Sequence, residues 1–152
     1  GPRALGNRSI LADPRSAEKK ATINKVVKGR EAYRPFAPVI PEKHLSEWFE
    51  NPQLSPYMSF ALKWQKHAEG KVPAVVHNDV TGRLQTINRH ENSWLSALIE
   101  EFYSLTGVPI VLNTSFNVMG KPIVHSVSDA ILVLISSGLD AVLIEDTLIQ
   151  KR

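Results

Sequence analysis

The chain has no cysteine among its 152 residues. That excludes disulfide staples, thiolate metal sites and a cysteine nucleophile, and it fits a cytoplasmic location. No apolar run approaches the ~18–20 residues a membrane helix needs, so no membrane partner is expected. No start methionine and no charged-then-apolar leader precede Gly1-Pro2-Arg3, and the opening reads as the interior of a longer chain. The histidines (His44, His67, His77, His90 and His125) lack metal-ligand spacing. G-x-S-x-G and H-E-x-x-H are absent too, so no metal and no nucleophile–base pair is read in the sequence. What remains is a globular composition, 43% hydrophobic and 22% charged. Without repeats, linkers or low-complexity tracts, residues 1–152 read as one domain.

The net charge is only +3, but it is unevenly placed. Residues 1–43 hold ten Lys or Arg against four Asp or Glu, and the remainder eight against eleven. An anionic partner for the first third follows: a nucleotide, a phosphate or RNA.

Punctuation and periodicity outline the elements. Asp13-Pro14 reads as a helix start, with a polar helix running to about Lys28 and ending at Gly29. Tyr33 to Ile40 is extended but interrupted by Pro35 and Pro38. Pro41 to Glu50 is a short helix burying Leu45, Trp48 and Phe49, and Pro56 to Trp64 has strand composition. Ala74–Val76 and Leu84–Ile87 are further strand candidates around a turn at 79–82. Glu91 to Thr106 carries Leu95, Leu98, Ile99, Phe102 and Leu105 on one stripe and stops at Gly107. Val108–Leu112 is a central strand, Ser128 caps a helix over 129–137, and Ala141–Ile144 is a buried strand. Interleaved strands and helices make the class α/β or α+β with a mixed sheet.

Four segments carry candidate chemistry. Asn113-Thr114-Ser115-Phe116-Asn117 follows the best strand and offers short polar groups suited to phosphate oxygens, with Gly120 allowing close backbone approach. An ordinary polar turn has the same composition. Lys28, Arg30 and Arg34 place three cations where a helix gives way to extended chain; arginine meets phosphate as a fork and lysine as a point charge. Asp79, Thr81, Arg83 and Gln85 alternate, so an extended chain would put them on one face. The glycine-rich opening, with Arg3, Asn7 and Arg8, resembles an anion loop but not a P-loop; a mobile terminus is the plainer reading.

Taken in order, these blocks resemble the carboxy-terminal domain of the O-carbamoyltransferases of the nodulation and antibiotic-tailoring type. Gly1 to Arg15, Lys28-Gly29-Arg30-Glu31, Tyr33 to Pro38, Ser55-Pro56-Tyr57-Met58, Pro73-Ala74, Asp79 to Thr86 and Asn113 to Val124 carry the likeness. The resemblance implies a YrdC-like fold, a twisted mixed sheet flanked by helices. It implies that a K-x-R pair, here Lys28 and Arg30, and an S-x-N element, here Ser115 and Asn117, grip a nucleotide, with Arg34, Asn113 and Thr114 beside them. Lys28, Arg30 and Arg83 would then be catalytic, and Arg3, Asn7 and Arg8 would lie at a domain seam. The implied ligands are ATP with its Mg²⁺ and carbamoyl phosphate. The implied product is carbamoyl-adenylate, passed to an amino-terminal acceptor-binding domain with an actin-like ATPase type of fold. Such chemistry is positioning and charge stabilisation and needs no protein nucleophile.

Two departures stand out. Lys121 replaces the family's Glu in Gly-Glu-Pro-Ile-Val, and the family's H-x-D-G-T-A-R-x-Q appears as His77 to Gln85 with Val80 and Gly82 in place of its Gly and Ala. An RNA-binding module of the same fold is the competing reading, but no stacking motif supports it and nucleic acid is not expected. A docking scaffold that has lost activity would not need Lys28, Arg30, Ser115 and Asn117 together.

Overall fold

The computed structural model describes residues 4–29, 31, 33–118 and 120–151. In chain order the elements are β1 (Ser9–Ala12), α1 (Ala17–Thr22), β2 (Ala37–Pro41), α2 (Leu45–Trp48), β3 (Ala61–Lys63), β4 (Thr81–Arg83), β5 (Gln85–Ile87), α3 (Ser93–Thr106), β6 (Val111–Ser115), α4 (Val127–Ser136), β7 (Ala141–Ile144) and β8 (Thr147–Gln150). A π-helical turn, Ile23–Val27, continues α1, and a 3₁₀ turn, Glu42–His44, leads into α2. The main sheet runs β1-β6-β2-β5, antiparallel at β1–β6 and β6–β2 and parallel at β2–β5. The expected mixed sheet with helices is therefore present. Among the described residues no helix is long and apolar enough to cross a membrane.

Each sheet face is covered by a different part of the core. Val39, Ile87 and Val111 pack with Leu95 and Ile99 of α3. Ile10, Ile40 and Leu112 join the larger cluster, which takes in Ile23 and Val27 beneath α1, Ala130, Val133 and Leu134 of α4, and the ring pair Phe49–Trp64. Helix α3 is defined at both ends. The Asn92 side chain accepts the Leu95 N–H at 3.0 Å, and Gly107, at φ 71°, closes the last turn.

Several expected details change. Asp13 does not cap a helix; its carboxylate is gripped by the Arg15 guanidinium at 2.7–3.0 Å, and α1 begins at Ala17. Ser126, not Ser128, caps α4, in a reciprocal box with Asp129. Ala74–Val76 is turn rather than strand, because Val75 N–H bonds back to Val72 O and Ala74 N–H goes to Pro14 O. The ladder of β6 starts at Val111, so Asn113–Ser115 belong to the strand instead of following it. Pro38 sits in an interior strand, one residue before the β5 ladder begins at Val39. Leu105 is 84% exposed on the last turn of α3, at the margin of the stripe. Ala141–Ile144 pairs only with β8 and buries only Val142.

Candidate functional site

The π-helical turn delivers Lys28 to the carboxyl end of β6. Ile23 and Val27 anchor the turn in the core, Lys28 N–H bonds to Ile23 O at 2.8 Å, and Gly29 takes a φ of 58° that lets the chain leave. Lys28 is only 5% exposed. Its ammonium donates to Ser115 O at 2.8 Å, Ser115 Oγ at 3.2 Å, Asn117 O at 3.0 Å and Asn117 Oδ1 at 2.7 Å. The Ser115 hydroxyl donates to Asn117 Oδ1 at 2.6 Å, and Asn117 Nδ2 donates to Lys121 O at 2.9 Å. The two motifs that seemed separate in sequence thus meet atom to atom. Toward Lys28 the Ser115 and Asn117 side chains act as acceptors, and their own donors turn inward to the loop.

Asn24, buried on the same turn, donates to Arg34 O at 2.9 Å, which ties the backbone of Arg34 to the element that carries Lys28. The Arg34 side chain is exposed. No sequence signal marked Asn24 except its polarity inside the apolar Ile23–Val27 stretch. Asn113, 1% exposed, is engaged with other partners than Lys28. Its Nδ2 donates to Ala4 O at 2.7 Å and Gln85 Oε1 at 2.9 Å, while Oδ1 has no partner among the described residues. Strand alternation puts Thr114 on the opposite face, with Leu112. Arg3 and Arg30 lie outside the described residues.

The opening segment is held in place from Ala4 onward, contrary to a mobile terminus. Gln85 Nε2 and Asn92 Nδ2 both donate to Leu5 O, at 3.2 and 3.3 Å. Gly6, at φ 104°, passes so close to α3 that a Cβ would stand 2.7 Å from Asn92 and Leu95. Arg8 brackets the site loop: its carbonyl accepts Phe116 N–H at 2.9 Å and its guanidinium donates to Val124 O at 3.2 Å.

The 77–85 stretch does not present one face. Thr81 and Arg83 belong to β4, paired with β3, whereas Gln85 is buried in β5 of the main sheet, with Leu84 at the switch. Arg83 is exposed. Asp79 accepts from Thr81 N–H at 3.1 Å and Thr81 Oγ1 at 2.7 Å. The Thr81 hydroxyl, ahead of its backbone N–H, holds the Asp79 carboxyl below its ordinary range. Burial pushes the His77 imidazole down, against the opposing influence of a backbone hydrogen bond at Phe36. Val80 holds a φ of 63°, a conformation suited to the glycine of the family pattern and strained for a β-branched residue.

A cavity of about 880 Å³ is an open groove that Lys28, Ser115 and Asn117 do not line. It backs onto the site loop through Phe116 and Val124, has Asn7 and Arg8 on one wall, and is rimmed by exposed Trp94, Val127, Leu143 and Leu148.

The sequence profile of the family described as Carbamoyltransferase C-terminus matches residues 1–151. The chain belongs to that family. It is 48% identical over its whole length to nodulation protein NolO of Bradyrhizobium diazoefficiens, covering 28% of that protein. It is 48% identical over its whole length to nodulation protein NolNO of Sinorhizobium fredii, covering 23% of it. Nodulation protein U of Bradyrhizobium diazoefficiens is 45% identical over 80% of the chain. The chain thus spans about a quarter of the first two relatives. As a Carbamoyltransferase C-terminus domain, it carries the Lys28–Ser115–Asn117 cluster at one end of its central strand.

Proposed function

We propose that this chain is the carbamoyl-adenylate-forming part of an O-carbamoyltransferase. ATP, with its Mg²⁺, and carbamoyl phosphate are the substrates of this reading, and an amino-terminal domain of the same polypeptide binds the acceptor and moves the carbamoyl group onto its hydroxyl. The observation that carries it is the meeting of Lys28 with Ser115 and Asn117 in a member of the Carbamoyltransferase C-terminus family. A buried cation fixed at the end of a strand is suited to a polyanion. Water first cleaves carbamoyl phosphate to carbamate and inorganic phosphate; Lys28, with Arg30, Arg34 and Arg83, would then offset charge on the phosphates as a carbamate oxygen attacks the α-phosphorus of ATP and pyrophosphate leaves. Thr114 and Asn113 enter this reading less directly, since Asn113 is engaged with Gln85 and Ala4. The groove beside Asn7 and Arg8, with its exposed apolar rim, supports the partner-domain part of the reading. A reactive acyl-adenylate has to be kept from water at that seam.

The test is calorimetric titration with ATP of the wild type, Arg30→Ala and Lys121→Ala. Lys121 is exposed and meets the site loop through its backbone, its N–H donating to Val118 O at 3.2 Å and its carbonyl accepting from Asn117 Nδ2 at 2.9 Å. Losing a charge-assisted phosphate contact costs about 1.5–3 kcal/mol, so Arg30→Ala is expected to weaken ATP by roughly 10- to 100-fold, with Lys121→Ala close to wild type. Equal affinities for the two variants, or no ATP binding by the wild type, would refute the site.

A further inference from the structure

We infer that the carboxyl end of β6 is a monovalent-cation cage, normally filled by the Lys28 ammonium, that accepts free ammonium or potassium once that side chain is gone. Four oxygens converge on one nitrogen: two backbone carbonyls, a hydroxyl and an amide oxygen, all at 2.7–3.2 Å. All four come from Ser115 and Asn117, so these acceptors belong to the loop and Lys28 enters among them from another element. The one hydroxyl hydrogen is committed within the cage, to Asn117 Oδ1, which leaves the Ser115 oxygen's lone pairs for the cation. Asn117 Nδ2 is turned to Lys121 O, and that fixes the amide with its oxygen inward.

Three ammonium hydrogens cannot supply each of four oxygens with one of its own, so the arrangement is closer to ion coordination than to paired hydrogen bonds. Potassium and ammonium are similar in size, whereas lithium and sodium are smaller and would require the oxygens to close in. Without a cation, four acceptors face one another in a part-buried site, and each abandoned acceptor is costly. Lys28 is therefore a positioning residue for the loop, whatever ligand the domain takes. The inference rests on the cage geometry and not on the carbamoyl-adenylate reading, and its test uses no nucleotide.

Lys28→Ala and Lys28→Met, the second retaining the apolar stem, are compared with wild type at one ionic strength in ammonium, potassium, lithium and tetramethylammonium chloride. Thermal unfolding and hydrogen exchange of the Phe116, Lys121 and Val124 amides, which the folded loop bonds, are the readouts. In both variants ammonium and potassium are expected to raise Tm saturably, by about 3 °C or more over tetramethylammonium. Protection of the three amides should recover about tenfold, with lithium weaker and wild type indifferent to the cation. Refolding of a variant only in ammonium or potassium supports the cage equally. Variants that behave alike in all four salts, or that fail to fold in every one, overturn it.

Discussion

At the carboxyl end of β6 a lysine and its polar neighbours are buried and bonded, while along the β7–β8 groove large apolar side chains stand in solvent. Both invert the usual sorting of residues, yet they differ in what completes them. The Lys28 corner is closed by its own chain: Nζ is surrounded by Ser115 and Asn117 oxygens, and Asn113 and Gln85 hold the opening segment over the sheet edge. Among the described residues nothing closes the groove over Trp94, Val127, Leu143 and Leu148. A polar group can be buried only where its partners are already placed, so the corner has to be finished within the fold. An apolar face in water costs less per residue and can wait for a partner.

Three substitutions sharpen that contrast. The largest effect is expected from Asn113→Leu. It abandons the acceptors Ala4 O and Gln85 Oε1, each worth about 1–3 kcal/mol, and it removes the orphaned Oδ1 in partial compensation. A net loss of about 2 kcal/mol in urea unfolding should result. No loss would mean that the polar corner does not depend on its internal bonds.

A smaller effect of opposite sign is expected in the hairpin. Glu145 begins the two-residue turn between Ile144 and Thr147 with a φ of 52°. The left-handed conformation costs an ordinary residue about 1–2 kcal/mol, and glycine's extra chain entropy returns about 0.5–1 kcal/mol of that. Glu145→Gly should therefore stabilise the chain by about 0.5 kcal/mol, measured by thermal unfolding. A destabilised variant would show that the Glu145 side chain contributes more than its backbone strain costs.

Leu148→Ser should have the smallest effect, within about 0.5 kcal/mol of wild type, because Leu148 is already exposed on the rim. A loss of 2 kcal/mol or more would mean that the groove closes on itself in solution, and the contrast with the Lys28 corner would disappear.

Local signals were legible where one residue type has one physical use. Gly29 and Gly107 end helical turns at positive φ, and α3 lies within the span read from its apolar stripe. Leu45, Trp48 and Phe49 are buried as their spacing indicates. The readings that moved involve choices between equivalent local partners. Ser126 and Ser128 both suit a cap, but only Ser126 has Asp129 three residues on to complete the box. Asp13 could cap a helix, but Arg15 two residues away takes its carboxylate. Asp79 to Gln85 alternates as one strand would, yet Leu84 divides it between two sheets, an outcome set by distant pairing with β3 and β2.

The site shows the same division. Its ingredients, Lys28 and the Ser115–Asn117 pair, are singled out by residue type and family pattern, because only a cation and small polar groups suit a phosphate. The separation of 87 positions between Lys28 and Ser115 says nothing of which atoms face which. Tertiary packing decided that Ser115 and Asn117 offer oxygens to Lys28, that Asn113 serves the opening segment, and that Thr114 falls on the other face. Strand alternation is a local rule, but the face that meets the core is chosen by all the strands together. By itself the sequence determined the class of fold, the helix ends marked by Gly29 and Gly107 and the chemical character of the site. The direction of each hydrogen bond within it depended on burial, which only the packed chain supplies.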